Sequence, residues 1–387
     1  MSIWLKRIAS VSLVILSITI SGHAFAAEKQ TIHFAGFALA GDAAKSQENF
    51  PNTKQIIGNQ QDLLEFNKTL TTKIESETFE NIKVTTELGD YKKGDALALA
   101  FVLTWENVST EKYEDFTKVA VNLQAQALLF DFSTKQIIAA YPFGVEYIDS
   151  VHGIPDPKRI LLDVRKLYNT QSGGLFGAFI DALHRAKPKA SFKSRIQVIP
   201  ADSLQPANDE LIRTGAKPDQ AKELLTNAFE NFLSSNGDIP VLPHANNQAI
   251  GGVMALHFVN GDASDLKIPQ PDYEVHLTLD NLRKVEVSKT NAETAIAYAS
   301  YLSINIVQPL SGTHFIDGSF KYAVVKVIAN SGTPDDVAEY QESLLSISDQ
   351  VTKQFRNPSS GWIKQQVIKL GAPDQLQNMP GLLDRCR

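Results

Sequence analysis

The residues of this chain best placed to share a proton or a metal ion are His314 and Asp317, an imidazole and a carboxylate three positions apart. Asp317-Gly318 also falls between two strand-like runs and is the kind of pair a reversing chain needs, so a turn is the expected role. Ser264 and Lys267 have the Ser-x-x-Lys spacing of an activated serine, but they lie between Gly261 and Pro269 and lack the companion motifs of that chemistry. The glycines of Gly173-Gly174-Leu175-Phe176-Gly177 do not have dinucleotide-loop spacing, and no phosphate-cradling lysine loop exists. His244, His257 and His276 sit on separate elements without the paired spacings that zinc sites use. Asp335-Asp336 is accounted for by the positive end of a helix dipole. No catalytic, metal or cofactor-binding residue is expected, and the chain reads as non-enzymatic.

Two further features point to contact instead of chemistry. Leu175, Phe176, Phe179 and Ile180 fall on one face of a short helix, and the basic residues Arg185, Lys187 and Lys189 follow with no acid among them. An apolar helical face beside a basic run is the layout of a segment that docks on an anionic membrane surface or an acidic partner, although most such stripes are core. Cys386, the lone cysteine, excludes an intramolecular disulfide and leaves an intermolecular one as a route to an oligomer.

Lys6 and Arg7, the apolar run Ile8 to Ile20, and Ala24-Phe25-Ala26 form the three parts of a cleaved signal peptide over residues 1–26. Loss of those two cations takes the formal charge from −6 to −8, which argues against nucleic-acid binding. The periplasm is the expected location, with stability coming from packed cores.

These features hang on elements that the patterning defines. Leu97, Leu99, Phe101, Leu103 and Trp105 alternate with Ala96, Ala98, Ala100, Val102 and Thr104, which makes a strand with a bulky face and a small-residue face suited to a close-lying helix. A charged loop is expected from Glu106 to Lys118, then a second strand, a turn at Asp131 to Lys135, and a third strand. Helical stripes appear at Leu63 to Ile74, Lys158 to Tyr168, Leu224 to Leu233 and Val337 to Phe355, the last with Thr333 as N-cap. Asp202 to Pro218 reads as a linker, and strands are expected at Asp272 to Leu279, Arg283 to Ser288, Thr294 to Gln308 and Ser319 to Ala329. The fold class is α+β, with two tandem domains, each a mainly antiparallel sheet carrying amphipathic helices on one face. The divisions are residues 27–150, a connector over 151–217, a second domain over 218–356 and a helix and tail over 357–387. Each half runs strand, amphipathic helix, short strand, long antiparallel strands and closing helix, which reads as a pseudo-repeat.

The strand with Phe34-Ala35-Gly36-Phe37, the helix from Leu63, the short strand Ile82-Lys83-Val84, and the hairpin Phe130-Asp131-Phe132-Ser133-Thr134-Lys135-Gln136-Ile137 together resemble a periplasmic module. It is that of the TolB amino-terminal domain and the curli secretion channel family. The resemblance covers roughly Thr31 to Phe143 and implies a role in envelope assembly, export or cell-surface organisation through contact with other envelope proteins. The lipid-anchor cysteine of the curli channel and the TolB propeller repeat are both missing. The alternative is a periplasmic ligand-binding protein or hydrolase with its site between the two domains.

Overall fold

Strand β1 (Gln30–Ala40) is the axis of the first half, flanked in parallel by β2 (Ile82–Thr85) and β3 (Leu97–Tyr113). This computed structural model describes residues 29–58, 60–86, 97–113, 115–169, 174–187, 193–244, 253–258, 262–330, 332, 334–372 and 374–387. The signal peptide, Thr333 and Lys189 therefore lie outside the described residues. Parallel neighbours need a crossover, supplied here by α1 (Ser46–Asn49), α2 (Pro51–Ile57) and α3 (Gln60–Glu75). A bulge between Phe34 and Gly36 is taken up by Gly36, whose φ of +115° is open to glycine.

Strands β4 (Phe116–Asp131) and β5 (Gln136–His152) complete the expected meander. Asp131 Oδ1 shapes its second turn by accepting the backbone N–H groups of Ser133 and Thr134, both at 3.0 Å. Glu106 to Lys118 is not a loop, because β3 and β4 stay paired out to Tyr113 and Phe116. Alternating charges along a strand with one wet face imitate a loop in sequence. Trp105 also departs from the expected face: a bulge between Leu103 and Trp105 turns it away from Leu97 to Leu103 and onto the second core. Helices α4 (Pro157–Asn169) and α5 (Leu175–Arg185) pack with α3 on the bulky face, where Phe101 meets Phe176 and Phe179.

The second half repeats this topology. Strand β6 (Ile196–Val198) lies between a parallel bridge at Leu242 and the parallel strand β10 (Tyr273–Lys289), as β1 lies between β2 and β3. Two residues of β7 (Asp202–Ser203) also pair with β10. The crossover is α6 (Gln205–Thr214) and α7 (Pro218–Gly237), so the segment read as a linker from Asp202 to Pro218 holds a helix, ended by Gly215 at φ +88°. Strands β8 (Val253–Phe258) and β9 (Ala263–Lys267) come next and join the other sheet. They pair with each other, with β1 at Ala38 to Ala40, and with β5 at Gln136, closing a ring of six strands. The small-residue face is thus covered by a hairpin and not by a helix: Ala98, Ala100 and Val102 pack against Met254, Leu256 and Leu266 inside the ring.

The second meander is β10, β11 (Glu293–Gln308) and β12 (Thr313–Ala329). One strand replaces the two expected from Asp272 to Ser288, with bulges absorbing the break in alternation. Helix α8 (Asp336–Arg356) is capped by Asp335, whose carboxylate accepts from the N–H groups of Val337 and Ala338 at 3.0 and 3.2 Å. The cap is thus two residues later than Thr333. Helix α9 (Ser360–Gln366), β13 (Val367–Leu370) and α10 (Gln375–Cys386) finish the chain.

A backbone bridge joins the two sheets. Val241 exchanges both backbone hydrogen bonds with Ala140 of β5, and the N–H of the next residue, Leu242, donates to Ile196 of β6.

Candidate functional site

The joint at Val241-Leu242 places the residues that follow it in the cleft between the two units. His244 is reached within one turn of chain and is buried against α7. Its backbone N–H donates to Glu230 Oε1 at 2.8 Å, and its Nδ1 lies 2.8 Å from Glu230 Oε2, with both side chains 5% exposed. Glu223 stands two turns earlier on the same face of α7. Burial raises its carboxyl above the usual range, and the nearby His244 partly offsets this. Together they line a cavity of 340 Å³ whose other walls include Phe50, Trp105, Gln126, Pro243 and Met254.

Glu106 also reaches this cavity, but its charge is already used. It accepts the backbone N–H groups of Asn52 and Thr53 at 2.8 and 3.0 Å, at the otherwise unsatisfied start of α2. A carboxylate-fixed imidazole is the orienting half of a proton relay. No serine or cysteine is among the described residues lining this cavity to act as its nucleophile. Among the described residues no cluster of three or more His, Cys, Asp or Glu is placed to hold a metal ion.

A wider cavity of 620 Å³ shares Trp105, Asn107 and Gln341 with the first. It sets Lys118 and Glu146 of the first sheet against Lys326 and Glu342 of the second unit. Glu146 is raised above the usual carboxylate range by burial and then by Glu342 opposite. Gly144 lets the units approach, because a side chain there would meet Gln124 and Asn231, which are hydrogen-bonded to each other across the interface.

The outer half of the second meander offers a different kind of surface. Beyond Leu279 on β10 and Phe320 on β12, no further strand pairs with the outer edges among the described residues. The inner face of this arm is fixed to α8 by Lys284 and the Tyr298 hydroxyl, both donating to Asp336, and by Lys326 with Glu339 and Glu342. On its outer face Val285, Ala297 and Val325 stand in register across the three strands, as do Arg283, Ala299 and Ala323. Val285, Val287, Val325 and Val327 are each more than half exposed.

The residues singled out from sequence do not converge. The proposed docking face is core: Leu175, Phe176, Phe179 and Ile180 are 0–8% exposed in the first cluster, because the bulky face of β3 to β5 needs a cover and this helix supplies it. Arg185 donates to the Ser234 carbonyl of α7 at 3.2 Å, and the Lys187 backbone N–H to the Tyr141 hydroxyl at 3.1 Å. Arg185 thus serves packing between the halves, and Lys187 ties the chain after α5 to β5 of the first sheet. His314 and Asp317 are in strand β12, since the chain reverses between Gln308 and Thr313, with Gly312 at φ +67°. His314 Nδ1 contacts Asn305 Oδ1 at 2.8 Å, and Asp317 pairs with Asn305 through the ladder, both exposed and apart from either cavity.

Cys386 is 0% exposed in the second core beside Leu382 and Leu383, and burial pushes its thiol up to about 12. The intermolecular disulfide is overturned by that burial. The folded protein is expected to show no Cys386-linked dimer on a non-reducing gel. A maleimide should label the thiol only after denaturant exposes it; prompt labelling of native protein would contradict the packing.

Sequence reasoning missed Glu223, Glu230 and His244 as a group. The available signal was two acids seven residues apart on an otherwise apolar helix, and nothing local tied them to His244.

No protein-family model matches the chain, and no curated protein does. Among the described residues no helix is long and apolar enough to cross a membrane. Among solved structures, a Xanthomonas campestris protein of the family DUF330 aligns at 10% identity and a TM-score of 0.25, covering 42% of this chain and 83% of that one. A PelC dodecamer from Paraburkholderia phytofirmans aligns at 10% identity and 0.20, covering 42% and 86%. A neuraminyllactose-binding hemagglutinin homologue from Helicobacter pylori aligns at 12% identity and 0.26, covering 51% and 96%. None of these three is TolB or a curli channel. At such scores they say nothing of what this chain does.

Proposed function

We propose that this chain is an exported, non-enzymatic protein of the cell envelope that works by binding another envelope protein through the outer face of the β10–β12 arm. Export rests on the tripartite start of the sequence, with Lys6-Arg7, the run Ile8 to Ile20 and Ala24-Phe25-Ala26. The single observation that carries the contact reading is the arm itself, a Val and Ala face more than half exposed at four valines and bordered by two strand edges that have no strand partner among the described residues. Long apolar edges are normally blunted in a protein that stays alone. A bilayer would bury the valines but leave the edge N–H and C=O groups unsatisfied, whereas a strand or sheet of another polypeptide satisfies both.

The experiment places a photo-crosslinking residue at Val325 or Val327 in the native host, with Leu310 in the exposed turn as control. A discrete heavier product is expected from the periplasmic fraction at both valines and not at Leu310. Val325→Asp with Val327→Asp should abolish capture from a neighbouring arm position while leaving the melting transition in place. Equal labelling at all three sites, or retention of unprocessed chain in the cytoplasm, would overturn the reading.

A further inference from the structure

The walls of the wider cavity carry amides whose hydrogen bonding is left half used. Its floor is the outer half of the first meander, where Trp105, Gln124 and Gly144 stand in register across β3, β4 and β5, and Asn107, Asn122 and Glu146 form the next row. Its roof is α7 with Asn231 and α8 with Gln341. A sheet face covered by helices is ordinarily apolar, and this one has amides in both rows. Asn231 donates to Gln124 Oε1 at 3.2 Å and Gln124 to Asn122 Oδ1 at 3.1 Å, while Asn107 donates to Gln341 at 3.5 Å. There the chains stop. Among the described residues the Asn122 and Gln341 amide N–H groups have no acceptor and the Asn107 and Asn231 carbonyls no donor, and none of these four ends is sealed from solvent. Two backbone features serve this arrangement. A Cβ at Gly144 would lie 2.7 Å from Gln124 Oε1 and 3.1 Å from Asn231 Nδ2, so glycine is what lets the amide chain cross the cleft. The bulge between Leu103 and Trp105 re-aims the indole into the cavity wall.

We infer that this cavity binds a neutral mono- or disaccharide, with its hydroxyls on Asn107, Asn122, Asn231 and Gln341 and the C–H face of a ring on Trp105. An amide presents a donor and an acceptor on one side chain, which matches neighbouring hydroxyls that each do both. The indole supplies a flat apolar surface with a polar edge, which suits a ring that is apolar on its face and wet at its rim. The volume of 620 Å³ lies within the roughly 300–1,000 Å³ of small-molecule sites. A charged ligand is not called for, because the charges on the walls already have opposite charges beside them. Lys326 bonds Glu339 and Glu342, Asp349 is paired with Lys353, and Glu146 feels both Lys118 and Lys326. A peptide strand is less well served, since β4 in the middle of the floor is paired on both sides and has no main-chain groups to lend. The site shares no residue with the outer face of the arm, so it stands whether or not that face binds a partner.

The test uses the chain from residue 27 with Trp362→Phe, which leaves Trp105 as the only indole. Galactose, N-acetylglucosamine, maltose and cellobiose are titrated against Trp105 fluorescence and by calorimetry, with sorbitol as a polyol that has no ring and acetyl-trialanine amide as a peptide. At least one sugar is expected to saturate both signals, and sorbitol and the peptide to leave them unchanged. Asn122→Leu in the floor and Gln341→Ala in the roof should each weaken binding about three- to tenfold, the loss of one or two neutral hydrogen bonds. Trp105→Ala, read by calorimetry, should remove it. Gln220→Ala, which of the two cavities touches only the smaller, should change nothing. Absence of saturable binding by all four sugars, binding of sorbitol or the peptide as tight as that of the best sugar, or wild-type affinity in Asn122→Leu and Gln341→Ala proteins that melt normally would each overturn the inference.

Discussion

Phe179→Asp is expected to abolish cooperative folding of the first unit. Phe179 is 0% exposed, with its ring centroid 5.2 Å from that of Phe101, 5.9 Å from Phe143 and 6.1 Å from Phe34. Removal of the ring alone costs about 3–5 kcal/mol, and a carboxylate in that place is a charge buried among the rings of Phe34, Phe101 and Phe143. The combined loss exceeds about 5 kcal/mol, comparable with the roughly 5–15 kcal/mol that holds a whole domain. Near-ultraviolet circular dichroism and a melting curve should show loss of fixed packing. A native-like melt, with only membrane or partner binding lost, would return α5 to the surface role its sequence imitates.

That imitation shows where sequence patterning is silent. Helical spacing of Leu175, Phe176, Phe179 and Ile180 defines an apolar face, but the spacing is the same whether lipid or the bulky side of a sheet covers it. The meander was legible because a period of two over Leu97 to Leu103 and Val119 to Ala127 has no competing explanation. Its outer half was not, because the bulge at Leu103 to Trp105 shifts the phase, and residues such as Glu106 and Lys118 belong to a strand face that lines the cleft. Asp202 to Pro218 hid a helix because its start has no side-chain cap and Pro206 stands in its first turn, a position a helix tolerates. The repeat of element order was legible as topology. The transfer of β8 and β9 to the other sheet was not, since pairing partners far apart in sequence leave no local trace. The same holds for the cleft, where His244 gains meaning only once the joint at Val241-Leu242 brings it against α7.

Phe101→Ala is expected to cost about 3–5 kcal/mol, the range for truncating a fully enclosed aromatic side chain. The residue is 0% exposed at the centre of the bulky face, with ring centroids 5.1 Å from Phe37, 5.6 Å from Phe143, 5.2 Å from Phe179 and 5.7 Å from Phe176. These four partners come from β1, β5 and α5, so the cavity left by truncation is lined by three elements that cannot all collapse into it. Edge-to-face packing adds about 0.5–1.5 kcal/mol per aromatic pair beyond area burial. Phe101→Leu keeps most of the volume but none of the ring contacts, and should therefore fall clearly short of wild type while remaining more stable than alanine. Urea unfolding followed by near-ultraviolet signal ranks the three proteins. Were Phe101→Ala to unfold within experimental error of wild type, β3 would have to present its other face to the helices, and the assignment of the small-residue face to the interior of the six-stranded ring would fail with it.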